Sequence, residues 1–237
     1  MEREGLISVR RGVGIQTYFT RIYNYMAGGL LLSALMAWLS VREPLIGLFY
    51  QLMPDGGVTF SLLGWIALFA PLFVVFFIGH AASKLNVRQA QLWFWLFSAL
   101  MGISLGNIFF LYSGAAIFQA FVVTAGMFFA LSWIGAKTER DLSSMGHFLL
   151  MGLIGVILAS LVNLFLHSGM MNFVLNVLSV IIFVGLTAYD TNRLKAIYAA
   201  SDSEDVTQVK AIQGALALYL DFINLFRLML YFLNDRR

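Results

Sequence analysis

Long apolar stretches, separated by short polar ones, occupy most of this chain. Seven of them are each long enough for a helix of about 20 residues, the length that crosses a bilayer. They cover residues 22–41, 60–82, 91–111, 115–136, 146–167, 171–189 and 214–233. None shows the strict alternation of polar and apolar residues that marks a membrane β-barrel. The pattern predicts an all-α integral membrane protein with seven transmembrane helices.

Composition points to the same surroundings. Of the 237 residues, 60% are hydrophobic and 11% are charged, whereas soluble domains carry about 25% charged residues. We therefore expect the helices to lie in a lipid bilayer. The absence of cysteine excludes disulfides, thiol catalysis and cysteine-ligated metal. A net charge of +3 without a basic cluster gives no reason to expect a nucleic-acid partner.

Known catalytic motifs are missing from the sequence. It contains no GxSxG, HExxH, P-loop or Rossmann glycine pattern, each of which belongs to a specific chemistry. Intramembrane aspartyl proteases also use two aspartates, but the residues before Asp221 lack the glycines of their signature. We therefore expect no enzyme activity and no resident cofactor.

Basic residues distinguish the two sides of the predicted bundle. Eleven of them fall on one side, in the N-terminal tail and in the loops after the second, fourth and sixth segments: Arg3, Arg10, Arg11, Arg21, Lys84, Arg88, Lys137, Arg140, Arg193, Lys195 and Lys210. Because loops rich in Lys and Arg face the cytoplasm, residues 1–18 are predicted to be a cytoplasmic tail and residues 19–237 a single transmembrane domain. The C-terminus lies outside if the seventh segment spans, and returns to the cytoplasm if it is re-entrant.

Two further features concern loops and packing. The loops are predicted to be short except for residues 191–213, whose acidic run at 201–205 is expected to be solvated. Small residues recur at four-residue spacing, which in lipid lets helix backbones approach closely. We expect helix contacts at Gly29/Ser33/Ala37, Gly102/Gly106, Gly126/Ala130 and Gly155/Ala159.

Two aspartates lie within or next to apolar segments. Asp190 ends the sixth segment, and Asp221 comes seven residues after the start of the seventh. An aspartate at the centre of a membrane helix costs about 2.5 kcal/mol or more, so each needs a partner, water or a proton. At about 1.5 Å per residue, Asp221 would lie about 10 Å below the cytoplasmic surface. Asp190 is expected at a similar depth, so the two carboxyl groups can face each other if their helices are neighbours.

The chemistry of such a pair is that of a proton sensor. Two carboxylates at close range cannot both stay charged cheaply, so they titrate as a coupled pair. A helix C-terminus at Asp190 would also favour its protonated form. Deprotonated, the same oxygens are hard ligands for Ca²⁺, so protons and calcium would compete. The alternative is structural: Asp190 pairs with Arg193 or Lys195, and Asp221 with Arg227 or Asn224.

The seventh segment carries one small-and-polar face. Gly214, Ala217, Asp221, Asn224 and Leu228 recur at steps of three and four residues. A helix that is apolar elsewhere, with one such stripe, suits a central position lining a pore, although a helix–helix seam has the same pattern. Asn224, together with Arg227 in the same segment, is the candidate polar group along that path.

Several runs of residues resemble the Bax inhibitor-1 (transmembrane BAX inhibitor motif) family. The likeness covers essentially the whole chain, and its last motif is specific. The start of the chain is similar to the bacterial inner-membrane branch of the family. The runs are residues 16–18 (QTY), 122–128 (VVTAGMF), 135–138 (GAKT), 141–143 (DLS), 184–191 (VGLTAYDT) and 217–226 (ALYLDFINLF).

The resemblance implies a fold and an activity. It implies seven helices with the last one central and wrapped by the other six, and a pH-sensitive calcium leak across a bacterial inner membrane. The paired aspartates of the family fall on Asp190 and Asp221. A basic residue that latches onto the sixth-helix aspartate falls on Lys84, where the bacterial relatives carry arginine, with Arg88 as the second candidate. Lysine cannot form the bidentate fork of arginine, so the latch would hold less firmly.

Two hypotheses of different class follow. In the first, the protein is a calcium-permeable leak channel gated by protonation of Asp190 and Asp221. In the second, it is a non-conducting interaction protein that regulates another membrane protein, such as a quality-control protease, through the exposed tail at residues 1–18.

Overall fold

In the computed structural model the chain is almost entirely helical. The structure describes the backbone of residues 2–53, 57–81 and 86–233, with side chains from residue 14 onward except 52 and 76–81. Nine helices and two short strands lie in these ranges: α1 (Glu2–Ser40), α2 (Ile46–Phe49), β1 (Tyr50–Leu52), β2 (Val58–Phe60), α3 (Leu62–Ala81), α4 (Val87–Leu105), α5 (Ile108–Leu111), α6 (Gly114–Lys137), α7 (Ser143–Leu166), α8 (Gly169–Ile197) and α9 (Glu204–Leu233).

Six helical stretches in the described ranges are long and apolar enough to cross a membrane. They are Gly14–Ser40, Val87–Leu111, Gly114–Lys137, Ser143–Leu166, Gly169–Ile197 and Glu204–Leu233, and they match the first and the third to seventh predicted segments. The second predicted segment is α3, whose apolar stretch at Leu62–Val75 is shorter. The prediction of an all-α membrane protein is confirmed, and the count of seven spans stays a prediction.

The predicted long loop at residues 191–213 is wrong. Helix α8 continues to Ile197 and α9 already begins at Glu204. Both helices extend beyond their apolar stretches. A helix can continue into the polar interface because its backbone hydrogen bonds are made within the helix. Glu204 and Asp205 occupy the first turn of α9, where negative charge is favourable to the helix dipole. The second half of the acidic run therefore starts a helix, and Asp202 lies in the short connection before it.

The extension of α8 also corrects the expectation for Asp190. This residue lies seven positions before the end of α8, about two helical turns inside it. Because the dipole acts mainly within the last turn, the helix terminus does not favour a protonated Asp190. Helix α9 begins ten residues before Gly214, and the depth expected for Asp221 stays a prediction.

The chain divides into two compact units, and α9 contributes to both. The first unit contains the residues up to Gly114 together with Ala199–Leu216, and the second contains Ala115–Tyr198 and the rest of α9. In the first unit α4 packs against both α1 and α3. The connection from α1 to α3 is the longest one described, and β1 and β2 form an antiparallel hairpin within it that pairs Tyr50 with Phe60.

In the second unit, α7 packs along α8. Their apolar contact is centred on Leu149, Ile182 and Leu186, which are all buried. The buried side of α6 is a row of mostly small residues at steps of three and four, which suits close helix packing. It consists of Ala116, Ala120, Thr124, Phe128, Ser132 and Gly135.

The four-residue spacing of small residues marks true contacts in only some helices. A Cβ added at Gly29 would lie 2.8 Å from the Phe94 ring, and one at Gly102 would lie 2.8 Å from the Ser33 Cα, so α1 and α4 meet where predicted. A Cβ at Gly126 or Gly155 would meet no atom within 4 Å. At those two sites the predicted packing is wrong within the described residues, because spacing does not say which helix face has a neighbour.

Candidate functional site

Helices α8 and α9 bring Asp190 and Asp221 together in the second unit. Asp221 is only 4% exposed, and Asp190 is half-buried. The two carboxyl groups lie close enough to interact through their charges, and to form a hydrogen bond when one of them is protonated. Two carboxyl groups can share a hydrogen bond only if one of them carries a proton, because a carboxylate has no donor. The arrangement therefore suits a pair that holds one proton between two acids.

One carboxyl oxygen of the pair is unsatisfied. Oδ2 of Asp221 is buried and has no hydrogen-bond partner of standard geometry among the described residues. A buried polar atom without a partner costs about 1–3 kcal/mol, and more when it is charged. The pair is thus incomplete with protein groups alone, and a proton or a cation at Oδ2 would supply what is missing.

Buried hydroxyl groups adjoin Asp190 along α8. Thr191 Oγ1 donates to the carbonyl oxygen of Thr187 at 2.9 Å and lies 3.4 Å from Ser132 Oγ of α6. Thr187 Oγ1 in turn donates to the carbonyl oxygen of Phe183 at 2.8 Å. Because these donors serve helix carbonyls, the hydroxyls add polarity beside the pair without neutralising it.

The basic residues after Asp190 have different roles. The Arg193 side chain is exposed and acts on Asp190 electrostatically. Lys195 instead donates to the carbonyl oxygen of Ala136 at 3.0 Å. Asn192 donates to the carbonyl oxygens of Gly135 and Thr138 at 3.3 and 3.2 Å. Lys195 and Asn192 thereby bond carbonyl groups at the C-terminal end of α6, which a helix leaves without internal partners.

Close glycine contacts hold α8 on two sides near Asp190. Gly135 of α6 lies against the backbone of Ala188, and Gly146 of α7 lies under the ring of Tyr189. A Cβ at either glycine would overlap these atoms. The segment that carries Asp190 is therefore seated closely against α6 and α7.

The other predicted site residues lie in different surroundings. Asn224 is half-buried one turn after Asp221, whereas Arg227 is exposed. Arg88 is exposed in the first turn of α4, and Lys84 lies outside the described residues. The structure thus brings the two aspartates together, and the roles of Asn224 and Arg227 in a path and of Lys84 or Arg88 in a latch stay predictions.

The acidic pair offers few ligands to a metal ion. Within the described residues no three His, Cys, Asp or Glu side chains come close enough to hold one. Calcium takes six to eight oxygen ligands, so two carboxyl groups would need water, hydroxyl or carbonyl oxygens to complete its shell. Such a site suits an ion in transit better than one held permanently.

Sequence reasoning missed the residues that seat the pair. Gly135 and Phe222 lie in runs that carry the family resemblance and Gly146 begins the fifth apolar segment, but the contacts of these three residues were not predicted. The usable signal was the row of small residues on α6 that includes Ala120 and Thr124. The four-residue spacing instead indicated Gly126, which lies on another face of α6 and where an added Cβ would meet no atom within 4 Å.

The sequence is similar to that of known proteins along nearly its whole length. The sequence matches the family described as "Inhibitor of apoptosis-promoting Bax1" over residues 15–237. It is 42% identical over 231 residues to the inner membrane protein YbhL of Escherichia coli (strain K12), covering 97% of this chain and 96% of that protein. An uncharacterized protein of Rickettsia prowazekii (strain Madrid E) is 39% identical over 225 residues, with 94% and 92% covered. An uncharacterized membrane protein of Streptococcus pyogenes serotype M1 is 40% identical over 226 residues, with 93% of each covered.

Proposed function

Because this chain belongs to the Bax inhibitor-1 family, we propose that it forms a pH-sensitive, calcium-permeable leak gated by Asp190 and Asp221. The observation that carries the proposal is the proximity of these two carboxyl groups, with Oδ2 of Asp221 buried and without a hydrogen-bond partner among the described residues. An acid pair of this kind is costly inside a membrane helix bundle, and intramembrane acids are functional by default.

The proposed gate works through the charge of the pair. With one proton shared, the two acids attract each other and α8 and α9 stay together at this level. When that proton leaves, two like charges face each other in surroundings of low dielectric constant, and their repulsion favours the approach of a cation, either the basic latch residue or a calcium ion. Calcium is then the transported ion, bound in passing by carboxylate oxygens.

The membrane arrangement is proposed from the same observations. Among the six apolar helices, α9 has 61% of its most apolar window buried, against 39% or less in the others. This supports a last helix that lies innermost. Seven spans, with α3 as the second, are part of the same proposal. The name of the Escherichia coli relative supports a bacterial inner membrane, and the distribution of Lys and Arg supports a cytoplasmic N-terminus. A latch from Lys84 or Arg88 to Asp190 is part of the proposal, as is the lack of enzyme activity.

The experiment is calcium flux into liposomes that contain the purified protein, measured at several pH values beside empty liposomes. Wild-type protein should give a flux that depends on pH. The Asp190→Asn variant should conduct with little pH dependence, because an amide cannot take part in the shared titration. Flux no greater than that of empty liposomes at every pH would reject the channel.

A second candidate function rests on the length of α1. This helix begins at Glu2, and its apolar stretch begins at Gly14, so about 18 Å of helix precedes the stretch. A helical arm of that length can contact another membrane protein, such as a protease complex, without any ion flux. Deleting residues 2–13 should abolish the effect of the protein in cells while liposome flux is kept, if this candidate is correct.

A further inference from the structure

Phe222 follows Asp221 on α9 and is held between two rings of α6. Its side chain is 4% exposed. The ring centroid lies 5.6 Å from that of Phe121 and 5.6 Å from that of Phe128, with interplanar angles of 61° and 67°. Both contacts are edge-to-face, the arrangement that the charge distribution of aromatic rings favours.

The two rings of α6 form a socket for this side chain. Phe121 and Phe128 are seven residues apart, which places them two turns apart on the same face of α6. A side chain of one helix that enters such a gap in another is restrained both along and around its own axis. Successive residues on a helix point about 100° apart, so holding Phe222 also fixes the direction in which Asp221 points.

We infer that Phe222, clamped by Phe121 and Phe128, is the positioning residue that aims the Asp221 carboxyl group at Asp190. The inference rests on the proposed function, because it assigns a cause to the pH response of the same pair. A loosened clamp lets α9 rotate, the carboxyl groups meet less often, and the coupling between their protonation steps weakens.

Within the second unit, few charged groups of the described residues face Asp221, so a change in its pH response after a rotation of α9 can be interpreted. From α8 it meets Asp190, on which Arg193 also acts. The buried side of α6 carries no titratable residue. The residues of α7 that pack on the core of α8 are likewise uncharged. A change in pH response after a substitution in the clamp therefore reports on the aspartate pair.

The matched control is a second aromatic pair that joins α8 to the same helix. Phe173 and Phe232 are 6.0 Å apart at an interplanar angle of 78°. Phe232 lies ten residues beyond Phe222, about 15 Å along α9. Phe232→Leu removes an edge-to-face contact of the same kind without touching the level of Asp221.

The test compares Phe222→Leu, Phe121→Leu, Phe128→Leu and Phe232→Leu. Two quantities are measured: the ratio of calcium flux at mildly acidic and mildly alkaline pH, and the infrared carboxyl band of the purified protein across the same range. We expect each clamp variant to reduce the flux ratio about threefold, and the double variant Phe128→Leu/Phe222→Leu to do no more than either single change. The carboxyl band should change its pH dependence in parallel, while Phe232→Leu behaves as wild type.

Three outcomes would overturn the inference. They are an unchanged pH response in a folded clamp variant, an equal change in Phe232→Leu, and additive effects in the double variant. If Phe222→Leu does not fold, Phe121→Leu decides, because Phe121 is 45% exposed and its truncation leaves a smaller cavity. If wild-type protein shows no flux, the proposed function fails, whereas the infrared titration still tests the positioning of Asp221.

Discussion

Gly135 of α6 lies directly against the backbone of Ala188 in α8, two residues before Asp190. A Cβ at Gly135 would overlap the Ala188 carbonyl oxygen and lie 3.0 Å from Cβ of Thr191. Backbone atoms cannot rotate away as a side chain can, so Gly135→Ala should separate the two helices. We expect the free energy of unfolding in detergent to fall by about 1–3 kcal/mol.

Gly126→Ala is the control for this substitution. Gly126 lies on the same helix, and a Cβ there meets no atom within 4 Å. In a helix interior, alanine is favoured over glycine by about 0.5–1 kcal/mol, so this variant should be as stable as wild type or slightly more so. Equal loss of stability in the two variants would show that α6 and α8 do not meet at Gly135.

Two ion pairs in the first unit involve the start of α9. Arg21 Nη1 lies 2.5 Å from Glu204 Oε1, and Lys210 Nζ lies 2.6 Å from Asp202 Oδ2. The Glu204 side chain is 69% exposed, whereas the Asp202 side chain is 21% exposed. Water and salt screen the pair of Arg21 and Glu204 more strongly, so Glu204→Gln should lower the free energy of unfolding by less than about 1 kcal/mol. Asp202→Asn should cost about 1–2 kcal/mol, because it weakens a partly buried charged hydrogen bond.

Chemical denaturation at low and high salt separates the two ion pairs. The small effect of Glu204→Gln should vanish at high salt, since exposed charges are screened over about a Debye length. The effect of Asp202→Asn should persist. A larger loss of unfolding free energy for Glu204→Gln than for Asp202→Asn would contradict the greater burial of the Asp202 side chain.

We expect Tyr50 in β1 to make the stability of the first unit sensitive to alkaline pH. Burial raises the pKa of its phenol, with a smaller opposing effect from a hydrogen bond with Ser40. A raised pKa in the folded state means that the stabilising contribution is complete below the ordinary value of about 10 and is lost as pH rises above it. Tyr50→Phe keeps the ring contacts with Phe60 and Phe110 but has no proton to lose.

Thermal unfolding at neutral and alkaline pH tests the role of Tyr50. At neutral pH, Tyr50→Phe should lose less than about 1 kcal/mol, since the phenol lies 3.4 Å from the carbonyl oxygen of Ile103. At alkaline pH, the variant should lose less stability than wild type. The same alkaline loss in both proteins would show that Tyr50 is not the group that titrates.

The apolar helices and the aspartate pair could be predicted because each follows from one strong rule. A helix that crosses a bilayer must be long and apolar, and the long apolar stretches of the sequence indicate such helices directly. Asp190 and Asp221 stand out because acids are rare there, and successive antiparallel helices place them at one level. The helix-terminus argument for a protonated Asp190 was wrong, however, since α8 does not end at Asp190.

Other features depend on neighbours that a single sequence does not reveal. The clamp around Phe222 could not be predicted, because an aromatic residue on an apolar helix has no pattern that names its partners. Gly135 and Gly126 look alike in sequence, yet only Gly135 meets another backbone. The hairpin of β1 and β2 was missed because strands of three residues are too short to show alternation.

The central claim is that the carboxyl group of Asp221 makes the flux depend on pH. The most direct measurement is calcium flux into liposomes across a pH series for wild type, Asp221→Asn and Asp205→Asn. Asp205 is the matched control, an exposed acid in the first turn of the same helix. We predict that Asp221→Asn conducts with a flux that no longer follows pH, while Asp205→Asn keeps the wild-type profile. A wild-type pH profile in folded Asp221→Asn would contradict the account.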